Sequence, residues 1–127
     1  MWVSGLINPY GTPARVVQAV TAGRVTAVVT PHLIDELAAV LGRPKFRSWI
    51  AVADAAAFVE ALVMDGDLRP DPEAVPKRVR DPDDDYLVAV AAAAAAVIVT
   101  GDGDLLEADL TPPAITPRDL IERLGLS

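Results

Sequence analysis

Cysteine is absent from the 127 residues of this chain, and histidine occurs once, as His32. The lack of thiols excludes disulfides and thiolate metal sites and is compatible with the cytosol. A single histidine without partners is seldom a site, so we predict a surface or capping position for His32. No basic start followed by an apolar stretch is visible, so we see no signal peptide and expect a cytoplasmic protein.

Long apolar runs are also lacking. The longest one, residues 87–99, is too short to span a bilayer and indicates a buried helix that continues into a strand. We therefore expect no membrane contact. Apolar residues still make up 52% of the sequence, which is enough for a folded core. Length and composition together predict one domain over residues 1–127.

Basic residues are scarce, since 11 Lys and Arg stand against 18 Asp and Glu and the net charge is −7. An acidic surface disfavours nucleic acid, because phosphate binding usually needs positive charge. Cations held at an acidic site would offset part of this charge. The basic residues also form two local clusters: Arg43, Lys45, Arg47 and Lys77, Arg78, Arg80. Either cluster is a solvated face or, for the second one in particular, a phosphate contact.

Acids, by contrast, are concentrated in residues 80–106, RDPDDDYLVAVAAAAAAVIVTGDGDLL. Asp81, Asp83, Asp84 and Asp85 precede a predicted helix, and Asp102 and Asp104 follow a predicted strand. In an open α/β sheet, helix N-termini and strand C-termini face a common crevice. Converging carboxylates repel one another unless protons or cations lie between them, and oxygen ligands favour Mg²⁺ or Mn²⁺. The alternative, that each Asp is only a cap or turn residue, stays open.

The rest of the chain alternates strands with helices, which predicts a parallel sheet covered on both faces. Thr12-Pro13 and Thr30-Pro31 mark helix starts, and Gly23 ends the first of these helices. Predicted helical segments cover residues 13–22, 31–41, 46–50, 52–64, 83–96, 105–107 and 117–124. Predicted strands cover residues 1–4, 25–29, 97–100 and 114–116, with a minimal one near Leu68. In the helix at 52–64, the predicted apolar stripe is Val52, Ala56, Val59, Leu62 and Val63.

Five motifs, in this order and spacing, carry a resemblance to a known family: WVSGLINP, VVTPHLIDELAAVLGRPKF, RDPDDDYLVAVA, VIVTGDGDLL and AITPRDLIERL. The chain resembles the PIN-domain family, in its branch of toxin components of VapBC-type toxin–antitoxin modules. This resemblance implies a three-layer α/β/α fold with a central parallel sheet. It also implies a divalent-metal-dependent endoribonuclease that uses Mg²⁺ or Mn²⁺.

The resemblance assigns metal-binding and catalytic roles to Glu36, Asp84, Asp102 and Asp104. On sequence position alone, Glu36 is either a boundary residue of its helix or one that points into a crevice. Thr100 matches the hydroxyl residue of the strand motif, while Asp85 and Asp81 rank lower, as helix caps or supports of the ligands.

The implied partners are an RNA substrate, a cognate antitoxin whose segment fills the acidic crevice, and a second copy of the chain in a homodimer. Phe46, Trp49 and Phe58 are either contacts for the antitoxin or part of the core.

The start of the sequence departs from the family. The family's first strand ends in Asp-Thr-Asn, directly before the segment that begins here at Met1, and that strand and its Asp are missing. We expect that the recorded start lies downstream of the true one and that the first strand is truncated. If the chain does begin at Met1, Ser4 and Asn8 are the polar groups nearest the vacated position.

Two other functions are consistent with clustered acids in an α/β fold. The first is a catalytically impaired PIN-like module that binds RNA or an antitoxin without cleaving. The second is a phosphoacceptor receiver domain, which needs a lysine after its last strand. Thr116, Pro117 and Arg118 stand at that position instead, so the receiver domain is disfavoured.

Overall fold

Residues 1–126 are described by a computed structural model. Their packing separates two compact units, the N-terminal unit Trp2–Pro70 and the C-terminal unit of Met1 and Asp71–Ser127. Ser127, the last residue of the predicted domain, lies outside the described residues. The helices and strands of residues 1–126 are α1 Trp2–Ile7, α2 Thr12–Thr21, β1 Val28–Val29, α3 Pro31–Leu41, α4 Val52–Asp65, β2 Asp67–Leu68, α5 Pro82–Ala94, α6 Gly103–Leu106 and α7 Pro117–Arg123.

The N-terminal unit begins with a helix, so the predicted strand over residues 1–4 is wrong. Helical spacing lets Trp2 and Leu6 pack together on the core, and the ring of Trp2 meets that of Phe58 edge to face at 5.6 Å. Gly5 permits close contact with α2, because a Cβ atom there would lie 2.6 Å from the carbonyl oxygen of Pro13. The segment consists largely of residue types that favour strands, and its sequence does not show this close approach. The strand prediction failed for that reason.

The predicted ends of α2 and α3 are confirmed. At the end of α2, Gly23 has a φ of 76°, which residues other than glycine rarely adopt. The N–H of Arg24 donates to the carbonyl of Ala19. At the start of α3, Oγ1 of the fully buried Thr30 accepts the N–H of Leu33 at 3.2 Å. Both helix ends follow from local backbone chemistry, which explains why the sequence predicts them.

The sheet of the N-terminal unit is smaller than predicted, because only Val28 and Val29 of residues 25–29 are strand. They pair in parallel with Asp67 and Leu68, which confirms the strand near Leu68. The buried core of this unit consists of Val17, Val29, Leu37, Leu41, Ala55, Phe58 and Leu62. Each is apolar, and together they hold α2, α3 and α4 around the two strands.

Helix α4 buries only part of the predicted stripe. Leu62 is buried and Val59 packs against the core, as predicted, whereas Val52 is 67% exposed. The other buried residues of the helix are Ala55 and Phe58. The helix is apolar on several sides, so its hydrophobic pattern does not select one stripe. Before α4, a 3₁₀ turn covers Pro44–Phe46.

The C-terminal unit is built around α5, which begins at its predicted cap and ends at Ala94, two residues before the predicted end. Ala95 closes the helix in the left-handed conformation, with a φ of 52°. The predicted strands 97–100 and 114–116 are reduced to one parallel bridge between Val99 and Ile115. Thr116 and Asp119 form a reciprocal capping box at the start of α7.

Parallel pairing is thus present in each unit, as the sequence predicts, with strands shorter than expected. The three-layer arrangement stays a prediction. None of the helices in residues 1–126 combines the length and the apolar character needed to cross a bilayer.

The left-handed Ala95 gives a testable consequence for stability. We expect Ala95→Gly to raise the free energy of unfolding by about 0.5–1 kcal/mol, because glycine adopts this conformation without the clash of a Cβ atom. Ala93→Gly, an exposed position inside the same helix, is the matched control and should lower stability by about 1 kcal/mol. Urea unfolding followed by circular dichroism measures both, and equal losses in the two variants would contradict the strain at Ala95.

Candidate active site

Two acids from opposite ends of the predicted constellation meet in the C-terminal unit. The carboxyl groups of Asp84, in the first turn of α5, and Asp102, before α6, lie within hydrogen-bonding reach of each other. Asp84 is partly buried and Asp102 is exposed, so the pair opens to solvent on one side. The two carboxylates are separated by eighteen positions in the sequence and are brought together by the fold.

Local hydrogen bonds fix the backbone on the Asp102 side. The N–H of Asp102 donates to Oγ1 of Thr100 at 3.1 Å, and Oδ1 of Asp102 accepts the N–H of Asp104 at 2.9 Å. Asp102 is therefore the N-cap of α6, as its turn chemistry predicts. Thr100 is held in turn, because its N–H donates to the carbonyl of Ile115 at 2.9 Å.

Asp81 fixes the other side, as the N-cap of α5. Its Oδ1 accepts the N–H of Asp83 at 2.9 Å, and its carbonyl accepts the N–H groups of Asp84 and Asp85. Pro82 occupies the first helical position, where a missing N–H costs nothing. The sequence prediction that Asp81 is a helix cap is confirmed.

Apolar packing brings these two capped helix starts together. Val88, Leu105 and Ala114 form the buried cluster of the C-terminal unit. Val88 lies one turn after Asp84 on the same face of α5, and Leu105 lies one turn after Asp102. Burial of Leu105, which is 1% exposed, therefore also sets the position of the carboxyl pair.

The electrostatics of the pair raise the pKa of Asp84 from 3.8 to about 6. Partial burial is the largest cause, followed by the hydrogen bond with the Asp102 carboxyl and by the negative charges of Asp102, Asp81 and Asp104. The carboxyl pair therefore holds a proton below about pH 6 and is mostly doubly charged at neutral pH. The same concentration of negative charge favours a cation at this position.

Asp85 points away from the pair and serves the loop before α5. It is 5% exposed, and its Oδ1 accepts the N–H groups of Arg78 at 2.7 Å and Val79 at 2.9 Å. These hydrogen bonds, with a smaller contribution from the charge of Lys77, lower the pKa of Asp85. The next residue, Tyr86, donates its hydroxyl to the carboxylate of Asp71.

The remaining predicted site residues lie in the N-terminal unit. Glu36 is on α3 with its side chain half exposed, and its Oε2 lies 3.3 Å from Nε2 of His32, one helical turn earlier. His32 is exposed, as predicted. Ser4 is exposed on α1. The assignment of Glu36 and Ser4 to the metal site stays a prediction.

The two basic clusters differ in exposure. In the first, Arg47 is partly buried and its Nη2 donates to the carbonyl of Leu41 at the end of α3, so it supports a helix C-terminus. The neighbouring Lys45 lies over the ring of Phe46, 5.1 Å from its centroid. In the second cluster, the side chains of Lys77, Arg78 and Arg80 are all exposed.

A cavity of about 260 Å³ lies in the N-terminal unit, between the end of α2 and the end of α4. Phe58 and Leu62 form part of its wall, and Asp65 is the acid that lines it. None of the predicted site residues lines this cavity, so it does not belong to the acidic site.

The donor chemistry of the carboxyl pair fits a hard divalent cation. Within residues 1–126, no group of three or more His, Cys, Asp or Glu side chains is gathered so as to hold a metal ion. Mg²⁺, however, is usually held by one or two carboxylates together with water and substrate phosphate, and not by a cage of protein ligands alone. Asp84 and Asp102 supply two such carboxylates with oxygen donors.

Comparison with known proteins shows the family. A family model described as PIN domain matches residues 1–104, which is most of the chain, so this protein belongs to the PIN-domain family. No curated protein and no solved structure matches it. PIN domains have an α/β fold, are generally nucleases and typically use divalent metal ions, so the family indicates nuclease activity in general. The matched residues include all four predicted catalytic acids.

One functional role escaped the sequence prediction. Asp85 was expected to be a cap or a support for the metal ligands, whereas it bonds the backbone of Arg78 and Val79, six and seven residues earlier. The sequence carries no signal that separates the two acids, since Asp84 and Asp85 both have helical spacing to the buried Val88.

The raised pKa of Asp84 predicts an unusual dependence of stability on pH. The folded chain holds this proton more tightly than the unfolded chain, so the contribution of Asp84 to stability increases as pH falls from about 7 through 6 towards 4. Asp84→Asn should remove this dependence and stabilise the metal-free chain at pH 7 by about 1 kcal/mol, a small value because the site is partly solvated. Urea unfolding in EDTA at several pH values measures it.

The exposed Asp109→Asn is the matched control, since it removes one negative charge from the same unit. It should leave the pH profile unchanged. If Asp84→Asn and Asp109→Asn have the same profile, the proton is not held at Asp84.

Proposed function

We propose that the chain is a divalent-metal-dependent endoribonuclease and the toxin component of a type II toxin–antitoxin module. The observation that supports it best is the meeting of Asp84 and Asp102 in a solvent-open pair with a raised pKa at Asp84. Perturbed carboxylates that are brought together by a fold are typical of functional sites. Membership of a family of nucleases supports hydrolysis of phosphodiesters as the reaction.

In this proposal, Asp84 and Asp102 hold Mg²⁺ or Mn²⁺. A bound ion would lower the pKa of a water molecule to make the attacking hydroxide and would offset the charge that builds on the phosphate. Thr100 orients the backbone of Asp102 through its hydroxyl. Asp104 adds negative charge beside the pair, which increases the attraction for a cation.

The substrate in this proposal is RNA, for two reasons. The resemblance to VapBC-type toxins carries this substrate class to the chain. The exposed guanidinium groups of Arg78 and Arg80, just before the acids of α5, offer contacts for backbone phosphates. The net negative charge of the whole chain is no obstacle if positive charge is concentrated where the strand binds.

The regulatory partner in this proposal is a cognate antitoxin. Of the three aromatic residues considered for this contact, Phe58 is 8% exposed and belongs to the core, and Phe46 is half-buried. Trp49 is 62% exposed and is therefore the best candidate for an antitoxin contact.

The test of this function is cleavage of a single-stranded RNA by the purified chain with Mg²⁺ or Mn²⁺. We expect Asp84→Asn and Asp102→Asn each to lower the rate by about 10²-fold or more, because each removes one charged oxygen ligand. Chelation with EDTA should abolish cleavage. Asp109→Asn is the control and should keep the rate of the unchanged chain, which excludes a general loss through removal of an acid. Cleavage that persists in EDTA and in both variants would remove this mechanism.

Glu36 is tested separately, since it belongs to the N-terminal unit. If the assignment from the resemblance holds, Glu36→Gln lowers the cleavage rate as Asp84→Asn does. His32→Ala is the control, because it removes the partner of Glu36 and keeps the carboxylate. Equal losses of rate in Glu36→Gln and His32→Ala would show that the pair acts through helix stability.

The second candidate function is binding of RNA or an antitoxin without cleavage. It is favoured by the small number of ligands at the site, since within residues 1–126 no group of three or more His, Cys, Asp or Glu side chains is gathered so as to hold a metal ion. Titration calorimetry with Mg²⁺ and Mn²⁺ distinguishes the two functions. Metal binding without RNA turnover would point to the binding module.

A further inference from the structure

Residues 71–80 form an irregular segment that α5 fastens at two places; we name it the basic loop. Near its C-terminal end, the buried carboxylate of Asp85 accepts the N–H groups of Arg78 and Val79. At its first residue, the carboxylate of Asp71 accepts the hydroxyl of Tyr86. Asp85 and Tyr86 are neighbours in one turn of α5, so a single helical turn holds both ends of the loop.

Further contacts restrain the C-terminal part of the loop. The side chain of Val79 packs against the buried cluster around Val88 and Leu105. Nζ of Lys77 donates to the carbonyl of Val79 at 3.2 Å, which tightens the turn. An irregular segment with this many fixed points loses little conformational entropy when a ligand binds.

The hydrogen bonds that hold the loop leave its positively charged side chains exposed to solvent. Arg78 and Arg80 are exposed, and within residues 1–126 neither guanidinium group forms an ion pair. Asp85 accepts hydrogen bonds from the main chain of Arg78 and Val79. The side chains of Arg78 and Arg80 therefore stay available to bind a ligand. Arg80 directly precedes Asp81, the N-cap whose charge contributes to the raised pKa of Asp84.

We propose that Asp85 and Tyr86 are positioning residues that hold the basic loop as a phosphate-binding arm for single-stranded RNA. This inference rests on the proposed function for its ligand. In it, Arg78 and Arg80 contact phosphates of the strand next to the carboxyl pair. The negatively charged Asp85 thus promotes the binding of a polyanion, because it holds the backbone of the loop and does not contact the ligand.

The roles of charge and of hydrogen bonding at Asp85 can be separated by two substitutions. Asp85→Asn and Asp85→Ala remove the same negative charge, which by itself should favour RNA binding. Asparagine keeps an oxygen that accepts backbone N–H groups, whereas alanine does not. The proposal therefore expects Asp85→Ala to weaken RNA binding by about 3–10-fold and Asp85→Asn to bind at least as well as the unchanged chain.

The measurement is fluorescence anisotropy of a labelled single-stranded RNA with the full chain in EDTA, over a range of salt concentrations. Each phosphate contact contributes about −0.7 to the slope of log K against log salt for single strands. Arg78→Gln and Arg80→Gln should each make the slope less negative by about 0.7 and so calibrate the assay. Asp85→Ala should make it less negative by about the sum of the two. Tyr86→Phe, which releases the other end of the loop, should weaken binding by about 2–3-fold.

Two control variants match these changes. Asp119→Ala removes a carboxylate that accepts a backbone N–H at the start of α7, so it should reduce stability without weakening RNA binding. Tyr10→Phe removes a hydroxyl from a residue that is 95% exposed and should change neither. Hydrogen exchange at the amides of Arg78 and Val79 shows directly whether Asp85→Ala has released the loop.

Faster exchange at these amides together with unchanged affinity and slope would overturn the proposal, as would a chain that does not bind RNA in EDTA. If Asp85→Ala does not fold, Tyr86→Phe decides the question by the same readout. The result is distinct from the test of the nuclease, because binding in EDTA needs neither metal nor turnover. A chain that binds through the loop and never cuts keeps this inference and loses the proposed function. If the unchanged chain cuts RNA and the Asp85→Ala variant binds RNA normally, the proposed function is kept and this inference is lost.

Discussion

The repulsion between the carboxyl groups of Asp84 and Asp102 is the constraint on which the candidate site depends. Two carboxylates at hydrogen-bonding distance repel each other, which disfavours the state in which both are ionised. The pKa of about 6 at Asp84 means that a proton relieves this repulsion below that pH, whereas at neutral pH the pair is mostly doubly charged. The pair is stable as a structural feature only because capping and packing hold each member independently. Its unfavourable electrostatics therefore remain available to attract a cation.

The capping aspartates have a structural and an electrostatic role at once. Asp81 and Asp102 each accept a backbone N–H at a helix start, which is the reason such residues are favoured there. The same positions bring their negative charges close to Asp84. A cap and a metal ligand are thus not competing interpretations of Asp102, since one carboxylate oxygen accepts the N–H of Asp104 and its carboxyl group also faces Asp84. The sequence leaves open whether these acids are caps or site residues, and for Asp102 the structure is compatible with both roles.

Features that depend on neighbouring residues were predictable here, and features that depend on distant ones were not. Helix α3 was predicted with both of its ends, because Thr30 and Pro31 determine its start locally. The start of the chain was not, because the helix Trp2–Ile7 relies on a close approach at Gly5 that only tertiary packing provides. The buried face of α4 was predicted only at Val59 and Leu62, since alanine surrounds Phe58 on several sides of the helix. In the candidate site, the clustering of Asp84 with Asp102 was predictable from order and spacing. The orientation of Asp85 towards the preceding loop was not, since adjacent acids on a helix start are equivalent in sequence.

The separation of Asp84 from Asp85 shows how an acidic chain can present both charges that a nuclease needs. Adjacent residues on an α-helix point about 100° apart, so one of these two faces Asp102 and the other faces the basic loop. The first carboxylate concentrates negative charge where a cation would bind. The carboxylate of Asp85 accepts two backbone N–H groups. These hydrogen bonds lower its pKa and keep it ionised, while its side chain stays buried. Arg78 and Arg80 then present positive charge at the surface directly before the acids. Because screening limits such charges to a range of about 10 Å, what a bound strand would experience is this local arrangement and not the net charge of −7.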